Sequence, residues 1–97
     1  MTKYTFPLIG LFVALLSPPL QAQCSDVESV ERTEKAAIKL LGNGKVFEQG
    51  KVLKLHLPSK RKETAVYIQS QNKHYTFFGL VTTDCKAYLM KRTHGKY

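Results

Sequence analysis

Residues 25–57 read SDVESVERTEKAAIKLLGNGKVFEQGKVLKLHL, and the hydrophobic period changes inside that stretch. Ser25-Asp26-Val27-Glu28 has the form of a capping box, with Ser at the N-cap and Glu three residues on. The spacing then predicts a helix to about Leu41. Val27, Val30, Ala37, Ile38 and Leu41 recur at helical intervals as one apolar face, which Glu34 interrupts. Glu28 with Arg32, and Glu31 with Lys35, stand at i,i+4 in the favourable order. Gly42-Asn43-Gly44 ends the helix, because Gly and Asn tolerate a left-handed C-cap. Beyond it the period falls to two. Leu53, Leu55 and Leu57 alternate with Lys54 and His56, which predicts a half-buried strand with the leucines inward. Val46-Phe47 forms its lead-in across Gln49-Gly50.

The rest of the chain keeps that period. Pro58-Ser59-Lys60-Arg61-Lys62-Glu63 reads as a polar turn. Thr64 to Ser70 reads as a strand with Val66 and Ile68 on one face and Tyr67 on the other. Gln71-Asn72-Lys73 is a hairpin turn, His74 to Thr82 a third strand, and Thr83-Asp84 a turn. Cys85 to Thr93 is the fourth strand, with Cys85, Ala87 and Leu89 on one face. Short connections imply an antiparallel meander, and the helix must bury its apolar face on that sheet. The expected fold is α+β: an N-terminal helix packed on a four-stranded antiparallel β-meander, with one disulfide.

Upstream of residue 25 the composition is different. Lys3 is the one charge in residues 1–22, Leu8 to Leu16 is an unbroken apolar run, and Ser17-Pro18-Pro19 precedes a small residue, Ala22. This is the order of a secretory signal peptide, with cleavage expected after Ala22. The run is too short for a membrane span, and Pro18-Pro19 would break one. A lipid anchor on Cys24 is disfavoured, because Gln23 stands where a small residue is needed. Removing residues 1–22 leaves a single domain of 75 residues, 23–97, with net charge +7 instead of +8. A chain that short has a small core and needs a staple. Cys24 and Cys85 are the two cysteines, and an even count in an exported chain reads as a disulfide. No CxxC or HxxxH spacing suggests a metal, His56, His74 and His94 are scattered, and no cofactor is expected.

Charge is the main functional clue. Residues 23–50 hold four bases and five acids, whereas residues 51–97 hold ten bases and two acids. Such a field attracts anionic partners. Lys60, Arg61 and Lys62, three consecutive charges in a hairpin loop, are the first choice for partner contact. Lys54 and Lys86 are the second, as a flatter patch on the exposed sheet face with His56, Tyr67 and Tyr88. An acidic protein or an anionic lipid or lipopolysaccharide surface fits this pattern. Nucleic acid is the least favoured partner, given the export signal. Solvation of a basic face is the competing explanation. Catalytic constellations are nearly absent. His56 and His74 form the one conceivable acid–base pair, for a minimal nuclease with Lys54 or Lys73 stabilising charge, but no GxSxG and no facing carboxylates accompany them.

The residues that carry a family likeness are Cys24 before the helix, His74-Tyr75 on the strand leading in, and Asp84-Cys85-Lys86-Ala87. In these the chain resembles the YebF and colicin M immunity protein group of small exported bacterial proteins. It departs from them in its shorter link from helix to first strand, in having no Trp, and in carrying Lys91 and Arg92 where an acid is expected. Only the two cysteines correspond residue by residue. The resemblance implies a helix-on-sheet fold and a binding or export-related role. The expectation is therefore a small periplasmic or secreted binding protein of inhibitor or immunity type, monomeric and without a transmembrane span after cleavage.

Overall fold

Helix α1 (Asp26–Leu41) begins at Ser25, which is extended at φ −65° and ψ 158°. The Ser25 hydroxyl accepts the Glu28 backbone N–H at 3.1 Å, which satisfies one of the orphan donors of the first turn. It ends at Gly42, left-handed at φ 90°, whose N–H reaches the carbonyls of Ile38 and Lys39. The computed structural model describes residues 23–97, so the leader read at 1–22 lies outside the described residues.

After Gly44 the chain forms four strands: β1 (Lys45–Leu55), β2 (Lys62–Ser70), β3 (Lys73–Val81) and β4 (Ala87–Arg92). They pair antiparallel in the order β1-β2-β3-β4, so this is the expected meander with β1 and β4 at its edges. Gln71 and Asn72 both have positive φ, 53° and 67°, so two residues make the β2–β3 turn. Lys73, read as part of the turn, already pairs with Ser70. α1 packs on one sheet face and meets all four strands.

The buried stripe of α1 is Ser29, Val30, Thr33 and Ala37, with Ile38 and Leu41 half-buried beside it. Val27, expected inward, is 70% exposed. The stripe follows the 29–33–37 ladder of small residues, and Val27 stands on its flank. Small side chains bring the helix close to the sheet. A Cβ on Gly79 would lie 2.9 Å from Thr33 Cγ2, and one on Gly50 would lie 2.7 Å from Val30 Cγ1. The Thr33 hydroxyl donates to the Ser29 carbonyl at 2.9 Å. A hydroxyl has one proton, so the 2.7 Å bond between the Thr33 and Thr64 hydroxyls is donated by Thr64. Val66, Ile68 and Phe77 complete the apolar core.

Two strand expectations are corrected. β1 starts at Lys45, and Leu53, Leu55 and Leu57 are exposed at 46%, 38% and 71%. Three irregularities, between Val46 and Glu48, Glu48 and Lys51, and Val52 and Lys54, shift the phase of β1. An unpaired residue at a bulge resets which side chains face the core, so Val52 and Gly50 turn inward, while Leu55, on the helix side with its partner Lys62, stays 38% exposed. Leu57 lies beyond the strand, joined to Pro58 by a cis peptide. The second correction is that Cys85 lies in the β3–β4 turn with φ 65°, ahead of β4. There it meets Cys24 in a disulfide, with Cα atoms 5.2 Å apart. The bridge pins the start of α1 to the far edge of the sheet, as the small core requires.

Candidate functional site

The helix covers one face of the sheet, and among the described residues no element covers the other. The register lays out that open face in four cross-strand rows. At the β1–β2 loop end stand Lys54, Glu63, Leu80 and Tyr88. Next come Lys51, Ala65, Phe78 and Lys91. The third row is Glu48, Tyr67 and Thr76, continued by Thr93, whose hydroxyl accepts the Thr76 N–H. The fourth is Lys45, Gln69, His74 and Lys96. Five lysines and two glutamates occupy these rows, a net of +3.

Aromatic rings fill the middle. Phe47 meets His74 edge-on at 4.6 Å and Tyr67 at 6.3 Å. Lys51 Nζ lies 6.0 Å from the Tyr67 ring centre, and Lys91 Nζ 5.3 Å from that of Phe78. The ammonium groups of these two exposed lysines thus sit within cation–π range of the rings. Ala65 is 1% exposed although no helix covers it, because the larger side chains around it close over the methyl. Lys51 and Lys91 stand three strand spacings apart, about 14 Å.

The residues picked out by sequence divide. Lys60 and Arg61 are exposed in the β1–β2 loop, whose backbone is closed by His56 N–H to Arg61 O at 2.8 Å and Lys60 N–H to His56 O at 2.7 Å. Lys62 is corrected: it is not a loop residue pointing outward. It opens β2 on the helix side, 5% exposed, with Nζ 2.6 Å from Asp26 Oδ1. The alternation that turns Thr64, Val66 and Ile68 inward turns Lys62 inward as well. Its ammonium survives there because Asp26, in the first turn of α1, supplies the counter-charge. Lys54 is on the open face as expected. Lys86 is corrected too: it sits in the β3–β4 turn and lines a shallow groove with Arg32 and Lys35 beside the helix, so it forms no patch with Lys54. The two lie toward opposite sheet edges.

The two histidines are also separated. His56 Nε2 lies 2.6 Å from Glu63 Oε2, near the start of β2. His74 pairs with Gln69 near its end, and its Nδ1 lies 3.3 Å from the Lys96 carbonyl. Gln69 lies six residue steps along β2 from Glu63, about 20 Å, so no single substrate bond lies between the rings. Cys24, Glu28 and Cys85 offer ligand atoms within 4.8 Å of one another, but both sulfurs belong to the disulfide and are not thiolates.

The opposite charge gathers on the far side of β1. Asp26, Glu31 and Glu34 line a groove between α1 and β1 with Val27, Val30 and Val46. Burial, and then the neighbouring Glu31 charge, hold the Glu34 carboxyl above its ordinary range. In the β3–β4 turn, the hydrogen bond from the Thr82 hydroxyl holds Asp84 below the usual carboxylate range. Acids thus gather in the groove between α1 and β1, bases in the groove where Arg32, Lys35 and Lys86 meet, and the open sheet face carries its net of +3. Lys45, Lys51, Lys91 and Lys96, with Phe47 and Phe78, were missed as a group by sequence reading. Their charge was counted, but their common face depends on bulges that only the register reveals.

Among the described residues no helix is long and apolar enough to cross a membrane, and the disulfide accords with an oxidising compartment outside the cytoplasm. No family model, no curated protein and no solved structure matches the chain.

Proposed function

We propose that the chain is a small exported binding protein that occupies an acidic patch on a partner protein with the uncovered face of its sheet. One observation carries this reading: the row Lys51–Ala65–Phe78–Lys91 sets a cation at each side of an aromatic centre on a rigid, solvent-facing sheet. Aromatic rings supply contact area at small entropic cost, and flanking cations match carboxylates on the partner. The role is blockade by occupancy, as in an inhibitor or immunity module, with the protein acting as a periplasmic or secreted monomer after loss of residues 1–22. The outline shared with the YebF and colicin M immunity group supports binding in preference to turnover. The separation of His56 from His74 supports the same choice.

The test is association with the partner recovered from the exported compartment of the source cells, at two ionic strengths. Wild-type association should slow as salt rises, because surface charges are screened over about 10 Å at 0.1 M. The double variant Lys51→Glu/Lys91→Glu should associate at least about tenfold more slowly at low salt, since like charges brought face to face cost several kcal/mol. Equal rates for variant and wild type would reduce the lysine rows to a solvated surface.

A further inference from the structure

We infer that the β1–β2 loop end of the molecule docks on an anionic phospholipid surface. This goes beyond the acidic-partner reading and does not rest on it, because Lys51 and Lys91 lie outside the loop end. Three large exposed apolar side chains stand here: Leu57 at 71%, Tyr88 at 57%, paired with Leu80, and Met90 at 50%. Leu57, Pro58, Leu80 and Met90 form the apolar walls of a depression of about 440 Å³, with His56, Ser59, Arg61 and Glu63 completing its lining.

Charge specifies the occupant. Arg61 lines the depression, Lys60 is exposed beside it in the loop, and Lys54 pairs with Glu63 of its lining. Of the nearby carboxylates, Asp26 is paired with Lys62, Asp84 lies 3.9 Å from Lys86 Nζ, and Glu63 is hydrogen-bonded to His56. The depression thus has apolar walls and one carboxylate, Glu63, and the three bases Lys54, Lys60 and Arg61 leave this end with a net of +2. A protein partner would have to offer a matching apolar socket for Leu57. A bilayer needs no socket, because its acyl boundary deforms around a protruding side chain while headgroup phosphates meet these cations. The loop presents Leu57 in a fixed way, since both of its backbone bonds to and from His56 close beneath it. Tyr88 has an apolar ring and a polar tip, which suits the headgroup level.

The sequence contains no Trp, so a single introduced Trp reports its own surroundings. Leu57→Trp should shift its emission to the blue with phosphatidylcholine–phosphatidylglycerol vesicles and not with phosphatidylcholine alone. Tyr97→Trp, at the opposite end of the sheet and 87% exposed in the parent residue, should not shift with either. In co-sedimentation with the mixed vesicles, Lys60→Gln/Arg61→Gln should lower the partition coefficient about 30-fold, at the usual contribution of a base near an anionic surface. Leu57→Ser should lower it about tenfold or more, from the lost burial of one leucine. The inference is overturned if the wild-type protein stays in the supernatant, if it sediments equally with both vesicle types, or if Tyr97→Trp shifts and Leu57→Trp does not. Soluble glycerol phosphate that abolishes the Leu57→Trp shift would overturn it as well, by identifying free phosphate as the ligand.

Discussion

Lys62 shows how one side chain ties the two layers together. It belongs to a run of three bases, yet its surroundings differ from those of its neighbours. Its ammonium reaches Asp26 at 2.6 Å while its side chain is 6% exposed and that of Asp26 is 71% exposed. The pair is therefore asymmetric: the cation is desolvated and the anion is largely wet. Removing the cation deletes a charge-assisted bond and leaves a void under the first turn of α1. Lys62→Gln is expected to cost about 1–3 kcal/mol, the range for a buried group losing a charged partner. Lys60→Gln and Arg61→Gln should each stay within about 0.5 kcal/mol, as exposed substitutions do. Denaturant unfolding of the three single variants checks this. Equal midpoints for all three would mean that the Lys62–Asp26 pair contributes nothing to stability. The inward placement was legible in part. Counting back by twos from Ile68, Val66 and Thr64 arrives at Lys62, but the continuous charge run reads more strongly as a loop.

At the scale of elements, the helix–sheet contact rests on small residues, not on a broad apolar face. Thr33 and Thr64 share a hydroxyl bond beneath Gly79, and a Cβ there would lie 2.9 Å from Thr33 Cγ2 and 3.2 Å from Thr64 Oγ1. Gly79→Ala should therefore destabilise by about 1–3 kcal/mol through overpacking. Thr33→Ser removes the clashing methyl and keeps the hydroxyl, so the double variant should recover part of that loss. A double-mutant cycle with a favourable coupling above about 0.5 kcal/mol supports the contact, and strict additivity refutes it. This scale also explains which elements sequence reading reached. The ends of α1 were legible because Ser25 and Gly42 act on backbone groups within one turn of themselves. The β2–β3 turn was legible because Gln71-Asn72 is a local signal between two alternating strands. β1 was not, because its bulges arise from pairing with β2, which is not written in any short stretch. With the phase of β1 lost, Leu53 was placed inward, and Lys45 and Lys51 were not recognised as members of one face. The lysine rows thus followed from charge counting only as a total, and from the register as a surface.

The whole molecule sets a small core against a concentrated charge. Its buried apolar residues include a single aromatic ring, Phe77, with Val30, Val66, Ile68, Val81 and two alanines. The open face meanwhile holds five lysines that repel one another, and the groove beside α1 holds Glu34 next to Glu31. Self-repulsion of this kind weakens the compact state, and a core of this size rarely supplies more than about 3–5 kcal/mol alone. The Cys24–Cys85 bridge spans 61 residues of sequence. By loop-closure entropy it removes about 4 kcal/mol of freedom from the unfolded chain. The staple is thus comparable to everything else that holds the fold. Cys24→Ser/Cys85→Ser should lower Tm by about 15 °C or more, since a domain this small moves roughly 4–8 °C per kcal/mol. The double change avoids a lone thiol that would pair between chains. Added salt should then raise the Tm of the variant, by screening the lysine face. Thermal scans of both proteins at low and moderate ionic strength make the comparison. A variant that melts within a few degrees of wild type at both would place the stability in the helix–sheet contact and not in the bridge.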